Sequence, residues 1–127
     1  MTYCVGMRLD KGLVFMADTR TSAGVDNFAV TRKMFSFDVP GERSIVLMTA
    51  GNLATTQAMI SLLEERSKTA EERDPSILRQ STMFQVARLV GETLNEVIVN
   101  SSPNGQGAVD QFRASVILGG QIGTGKP

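Results

Sequence analysis

The sequence predicts an α+β fold in which strands occupy the first fifty residues, two helices follow and a strand comes last. Three observations predict this order. The first fifty residues contain short apolar or alternating runs separated by turn residues, which is typical of β-strands. From residue 53 onwards the apolar residues recur at steps of three and four, which is typical of amphipathic helices. Residues 112–118 then form a short apolar run again.

The early strands are separated by residues that favour turns. The tripeptide DKG at 10–12 divides two apolar runs and predicts a hairpin, and PGE at 40–42 marks another turn. Residues 19–25 are rich in Thr, Ser and Gly and are expected to form a loop. The apolar run at 45–48 is the strongest strand signal and predicts a strand covered on both faces. The predicted strands are residues 2–9, 13–17, 33–37, 44–50 and 112–118.

Two amphipathic helices are predicted, over residues 53–68 and 77–100. The first begins after Asn52, a residue type that caps helix N-termini. The second starts after Pro75 and Ser76 and ends before the turn-forming residues at 101–105. Their apolar stripes predict that both helices pack on the same face of the sheet.

The predicted elements leave one face of the sheet without cover. The strand at 44–50 needs partners on both faces, and two helices on one face leave the other open. Gly119 and Gly120 are expected to form a turn after the last strand. A further chain segment or a partner is therefore expected to complete the core.

The composition predicts one globular domain over residues 1–127 that attracts neither nucleic acid nor membranes. The chain has 13 Lys plus Arg and 13 Asp plus Glu, so it lacks the net charge that draws proteins to nucleic acid or anionic lipid. Its apolar runs are too short to span a membrane. The first residues lack the basic start and long apolar run of a secretory signal, which predicts a cytoplasmic protein.

The residues that most hydrolases use are missing. The chain has no histidine and one cysteine, Cys4, which rules out a common zinc site and the Ser-His-Asp and Cys-His forms of catalysis within this chain. Residues 120–126 have the spacing of a phosphate-binding loop, but Pro127 stands where a Ser or Thr should bind magnesium. No metal and no cofactor are expected. A hydrolase built on this chain needs another base.

Thr2 supplies such a base once Met1 is removed. An N-terminal threonine carries a free α-amine beside its hydroxyl, and an α-amine has a pKa of about 7.7 to 8 and is therefore substantially neutral near pH 7. The amine can then accept the proton of the hydroxyl. A threonine at position two is common, however, and alone it does not indicate an enzyme.

Three segments give the chain a resemblance to a known family. They are MTYCVGMRL at 1–9, LVFMADTRT at 13–21 and TAGNLATTQ at 49–57. In combination they resemble the proteasome β-subunit superfamily, and within it the bacterial Anbu (ancestral β-subunit) family, over essentially the whole chain to Gly120. The resemblance implies an N-terminal-nucleophile hydrolase with an αββα sandwich, of which this chain contains only the first, N-terminal half. The resemblance also implies that the other half carries a serine and an aspartate that support the threonine amine, and no residue of this chain matches them.

The resemblance also implies four site residues. Thr2 is the nucleophile. Lys33 is the nearby cation, whose ammonium favours the deprotonated amine and hydroxyl, and Asp18 holds that ammonium in place. The backbone N–H of Gly51, at the change from strand to helix, is the oxyanion donor. The three residues besides Thr2 also have structural alternatives: Asp18 as a surface partner of Arg20, Lys33 as a solvated residue at a strand edge, and Gly51 as a backbone requirement before a helix. Cys4 is interpreted as core filling and is given no role.

The function implied is a threonine-type peptidase acting on peptides or unfolded proteins. The family likeness also implies self-association into a ring-like homo-oligomer and leaves room for an unfoldase partner. The alternative is a non-catalytic fragment or assembly subunit with the same fold. The sequence does not identify the side chain preferred before the cleaved bond, and the pocket for it is expected to draw on residues near Thr21 and on a neighbouring subunit.

Overall fold

The computed structural model describes residues 2–22, 28–68, 76–101 and 112–123. Within these residues the chain forms seven strands and two helices. In chain order they are β1 (Cys4–Leu9), β2 (Gly12–Ala17), β3 (Arg20–Ser22), β4 (Phe28–Val30), β5 (Met34–Val39), β6 (Arg43–Gly51), α1 (Leu53–Lys68), α2 (Met83–Ser101) and β7 (Ala114–Ile122). Neither helix is long and apolar enough to cross a membrane.

The predicted hairpin is confirmed. Strands β1 and β2 pair antiparallel from Cys4 opposite Ala17 to Leu9 opposite Gly12. The pairing places Phe15 on one face and the apolar side chains of Met7 and Met16 on the other, where they are 44% and 60% exposed.

The main sheet has the order β5-β6-β7, with antiparallel pairing throughout. Strand β6 is therefore the central strand, as its continuous apolar run predicts. Ile45 and Leu47 point to one face and are fully buried, and Met48 on the other face is 1% exposed. Both faces of β6 are therefore covered, one by the helices and the other by the β1–β2 hairpin.

Both helices cover the same face of this sheet, as predicted. Ile45 and Leu47 of β6 belong to one apolar core with Met59 of α1 and Val86 of α2. Helix α1 has the predicted bounds, and Asn52 caps it by accepting a hydrogen bond from Thr55 N at 3.0 Å.

The β1–β2 hairpin covers the opposite face of the sheet. The Phe15 ring lies against Gly119 of β7, so close that a β-carbon at position 119 would overlap the ring. Met48 and Ile117 share this side of the sheet because they pair across β6 and β7. The layer order is helices, sheet, hairpin, which gives three of the four layers of an αββα sandwich.

Residues 20–22 are a correction to the predicted loop at 19–25. They form β3 and pair antiparallel with β4, from Arg20 opposite Val30 to Ser22 opposite Phe28. The ladder continues where Thr31 N donates to Thr19 O at 2.6 Å. The loop was predicted from the Thr, Ser and Gly content of residues 19–25, but Thr also favours strands. A pairing partner for Arg20 lies only ten residues away, at Val30. Residues 23–25 lie outside the described ranges.

The second helix was predicted to begin too early. It starts at Met83 rather than Ile77, and the segment before it is held by the buried Arg43 side chain, whose Nη1 donates to Ile77 O at 3.2 Å and to Gln80 O at 2.7 Å. Thr82 then caps the helix by accepting from Gln85 N at 3.2 Å. The predicted end at Asn100 is within one residue of the observed end.

The predicted turn at Gly119 and Gly120 was also wrong. Strand β7 continues to Ile122, with Gly119 opposite Val46 and Gly120 opposite Ile45. At position 119 the missing side chain provides the space that Phe15 occupies. At position 120 a β-carbon would instead overlap the backbone of Ser44 and Ile45 on the neighbouring strand β6. The two glycines therefore mark close approaches, one between layers and one within the sheet, and not the end of the strand.

Candidate active site

The clearest polar feature of the structure is an ion pair between two predicted site residues. Lys33 Nζ lies 2.8 Å from Asp18 Oδ1 and also donates to Arg20 O at 2.7 Å. Lys33 is 6% exposed and the Asp18 side chain 35%. The solvated alternative for Lys33 is therefore wrong, and the partner that the structure gives Asp18 is Lys33. A buried ammonium needs such partners, since an unpaired charge would be costly there.

The Asp18 carboxylate also binds the start of the chain. Tyr3 N donates to Asp18 Oδ1 at 3.1 Å, and Asp18 N donates back to Tyr3 O at 3.0 Å. The hydrogen bond from Lys33 is the largest cause that lowers the pKa of Asp18 below the usual value of an aspartate, and the bond from Tyr3 N is the next. Asp18 is thus a stable anion that fixes the residue next to Thr2.

Backbone contacts set the position of Lys33. It directly precedes β5, and its carbonyl oxygen accepts from Thr49 N at 2.9 Å near the end of β6. Its side chain then reaches Asp18, after β2, and the first residue of β3. One lysine therefore joins the ends of four strands.

Thr2, Lys33 and Gly51 line one cavity of about 220 Å³. Thr2 is half-buried there. Asp18 is not part of this lining and lies behind Lys33, where it borders a neighbouring cavity. The arrangement places a threonine, a buried cation and a backbone turn around one space large enough for part of a peptide.

Gly51 has a backbone that requires glycine. Its φ is +102°, and a β-carbon there would lie 2.7 Å from Arg113 O and 2.9 Å from Ala114 Cα. The structural alternative for this residue therefore has direct support. Helix α1 begins two residues later, and its first residue, Leu53, lines the same cavity. The partial positive charge of the helix start thus lies beside the cavity.

Cys4 is close to these residues but has different chemistry. Its Sγ lies 3.9 Å from Thr49 O. Burial raises the pKa of Cys4 most, the negative charge of Asp18 raises it further, and Lys33 opposes the shift. The group therefore remains a protonated thiol at neutral pH, which agrees with its interpretation as core filling.

Sequence reasoning missed several residues of the cavity wall. Thr31, Arg32 and Thr49 line it, and Thr21, near which the pocket was expected, does so as well, next to Arg20. Thr31 and Arg32 come to the wall through the β3–β4 pairing, which the sequence did not reveal. The concentration of Thr and Arg at positions 19–21 and 31–32 was the available signal.

This α+β fold is that of the N-terminal-nucleophile hydrolases of the proteasome β-subunit type, of which about half is present. No protein-family model matches the chain, and no curated protein matches it. Solved structures do. Anbu (ancestral β-subunit) from Yersinia bercovieri is 42% identical over 96% of this chain and 48% of that chain, with a TM-score of 0.83. An Anbu Gly-1 mutant from Hyphomicrobium sp. strain MC1 is 40% identical over 98% and 49%, with a TM-score of 0.83.

A helical assembly of the Anbu complex from Pseudomonas aeruginosa is 40% identical over 98% of this chain and 50% of that chain, with a TM-score of 0.81. The chain therefore belongs to the Anbu family. It spans about half the length of the solved structures that it matches. The family resemblance of the three sequence segments is confirmed.

Proposed function

We propose that this chain forms the nucleophile-bearing half of a threonine-type peptidase. The observation that supports this most is the shared cavity of Thr2, the buried Lys33 and Gly51. In a chain without histidine, an N-terminal threonine can act as both nucleophile and base. Removal of Met1 exposes the α-amine on which this chemistry depends.

In the first half of the reaction, Thr2 Oγ attacks the carbonyl carbon of the peptide bond. The hydroxyl proton passes to the Thr2 α-amine, through a water, and then to the nitrogen of the leaving peptide as the C–N bond breaks. The product is an ester between Thr2 and the acyl part of the substrate. Water then attacks this ester, gives a proton back through the amine, and releases a carboxylic acid and the free threonine.

The neighbouring residues assist this chemistry electrostatically. The Lys33 ammonium favours the neutral amine and the developing alkoxide, because a nearby positive charge disfavours further positive charge and stabilises negative charge. Asp18 acts as a positioning residue by holding Lys33 and Tyr3 N. The Gly51 N–H and the start of α1 stabilise the oxyanion.

A non-catalytic assembly subunit is the second candidate. One observation favours it: the Asp18–Lys33 pair joins several strand ends and would be needed for the fold alone. Both candidates include self-association into a ring-like homo-oligomer, with peptides or unfolded proteins as substrates of the active form and an unfoldase as its partner. For a relative, a helical assembly is known.

The test compares three variants of the full-length protein on a panel of fluorogenic peptides. Thr2→Ala should abolish turnover, because only the attacking oxygen is lost, whereas Thr2→Ser should retain measurable turnover. Ser61→Ala, which removes an exposed hydroxyl on α1, is the matched control and should behave as wild type. Light scattering should show the same oligomer for all of them.

A covalent threonine-directed inhibitor gives an independent readout. Mass spectrometry should locate the adduct on the peptide that begins with Thr2, with Met1 absent. Turnover that survives Thr2→Ala, or an adduct elsewhere, would refute the threonine mechanism. Neither turnover nor adduct in an assembled wild-type protein would favour the assembly subunit.

A further inference from the structure

The cavity beside Thr2 has a basic wall. Three cationic residues line it, Arg20, Arg32 and Lys33, and no Asp or Glu does so among the residues that the structure describes. Four threonines besides Thr2 add hydroxyl groups to the lining: Thr21, Thr31, Thr49 and Thr56. A small space bounded by cations and hydrogen-bond donors attracts anions more than neutral groups.

Arg32 is the cation best placed to select a ligand. Lys33 Nζ already donates to Asp18 Oδ1 at 2.8 Å and to Arg20 O at 2.7 Å, so fewer of its donors are left to bind a substrate side chain. Arg32 Nε donates to Met34 O at 2.8 Å, and its guanidinium lies over the Phe35 ring at 4.9 Å. These two contacts restrict the side chain without using its terminal nitrogens.

The terminal nitrogens of Arg32 have no hydrogen-bond partner within the described ranges. A guanidinium whose Nε is occupied and whose face is stacked presents its two Nη groups as the remaining donors. Such a fixed fork matches the geometry of a carboxylate, and little side-chain entropy is left to lose on binding.

We infer that the cavity selects peptides with an acidic side chain, Glu or Asp, at the residue before the cleaved bond, and that Arg32 is the specificity-determining residue. This inference rests on the proposed function, because it takes Thr2 as the point of attack. The residue before the cleaved bond is the one whose side chain lies closest to Thr2 during attack. Its carboxylate would accept hydrogen bonds from the Arg32 fork.

The kinetic test uses fluorogenic peptides that differ only at this position, with Glu, Gln, Leu or Lys, and the full-length protein. Because Gln has the shape of Glu without its charge, the ratio of kcat/KM for Glu over Gln isolates the charge. We expect a ratio of about 10 to 100, the range for a hydrogen bond to a charged group. Arg32→Gln should reduce the ratio to near one, and Arg32→Lys should retain part of it.

Arg88→Gln is the matched control. Arg88 lies on α2, is 71% exposed and pairs with Glu92 at 3.0 Å, so the same change of charge is made away from the cavity. Its Glu/Gln ratio should equal that of wild type. A wild-type ratio near one, or an equal loss in both variants, would overturn the inference while leaving the threonine mechanism untouched.

A binding measurement separates this inference from the proposed function. Fluorescence anisotropy on the Thr2→Ala protein compares labelled Glu and Gln peptides at low and high salt. Tighter binding of the Glu peptide that Arg32→Gln and salt both abolish supports the inference even when no turnover is found. Equal binding of the two peptides contradicts it, whether or not Thr2 proves to be the nucleophile.

Discussion

Gly51→Ala tests the backbone geometry at the edge of the candidate site. Two costs arise at this position. A non-glycine residue at φ +102° carries a backbone strain of about 1–3 kcal/mol. The new β-carbon would also lie 2.7 Å from Arg113 O and 2.9 Å from Ala114 Cα, which are backbone atoms directly before β7 and at its first residue. Such overpacking costs about 1–3 kcal/mol.

Together the two costs amount to about 2–6 kcal/mol, a large share of the roughly 5–15 kcal/mol by which domains are stable. The measurement is the free energy of unfolding from urea titration of the full-length protein. Substitutions at two other glycines distinguish the cost of backbone strain from the cost of overpacking. Gly41 has φ +77° and open space around it, so Gly41→Ala should cost only about 1–2 kcal/mol.

Gly91 is the second control, since it lies within α2, where a β-carbon would meet no neighbouring atom. Gly91→Ala should stabilise the protein by roughly 0.5–1 kcal/mol through helix propensity. The expected order of stability is therefore Gly91→Ala, wild type, Gly41→Ala, Gly51→Ala. If Gly51→Ala is no less stable than Gly41→Ala, the reasoning from the close approach of Arg113 is wrong.

Two further predictions use the charged groups near Thr2. The pKa of Asp18 is lowered in the folded state, mainly by Lys33, so its carboxylate stabilises the fold above its unfolded pKa of about 3.9, and this contribution disappears as the pH falls through the lower folded value. The unfolding free energies of wild type and Asp18→Asn should therefore differ at pH 7, and the difference should shrink as the pH falls below about 3.9 towards the folded pKa of Asp18. A difference that does not change with pH would contradict this. The second group is the Cys4 thiol, whose pKa is raised mainly by burial. Its alkylation by iodoacetamide should therefore reach half-maximal rate at a higher pH in the native protein than in urea. Equal midpoints would count against it.

Local sequence signals predicted the elements whose causes are local. Helix α1 has its predicted bounds, since Asn52 caps it and the apolar stripe needs only nearby residues. The β1–β2 hairpin was predicted for the same reason, because its turn residues lie between the paired strands. The predicted boundaries were wrong where a residue distant in sequence determines the local structure. The start of α2 is an example, because Arg43 on β6 donates hydrogen bonds to Ile77 O and Gln80 O, and the helix begins only at Met83.

The candidate site was predictable only in part. The family resemblance identified Asp18 and Lys33 as partners, and they lie 2.8 Å apart. The roles of Thr2 and Gly51 stay predictions, although both residues line the cavity with Lys33. Arg32 could not be found from the sequence, because its place in the wall depends on the β3–β4 ladder and on the stacking with Phe35. Such contacts depend on register, which one residue of slip would change.

The site lies where the two sheet layers meet, and this position links its formation to folding. Thr2 and Asp18 flank the hairpin, whereas Lys33 and Gly51 belong to the ends of the main sheet. The buried Lys33 ammonium is stable only while Asp18 and Arg20 O are in place, since a buried charge without partners is costly. Packing of the hairpin on the sheet and formation of the cation site are therefore energetically coupled. On the proposed mechanism, Thr2 acquires its neighbouring cation only when these layers have packed, so an unfolded chain carries the nucleophile without the group that activates it.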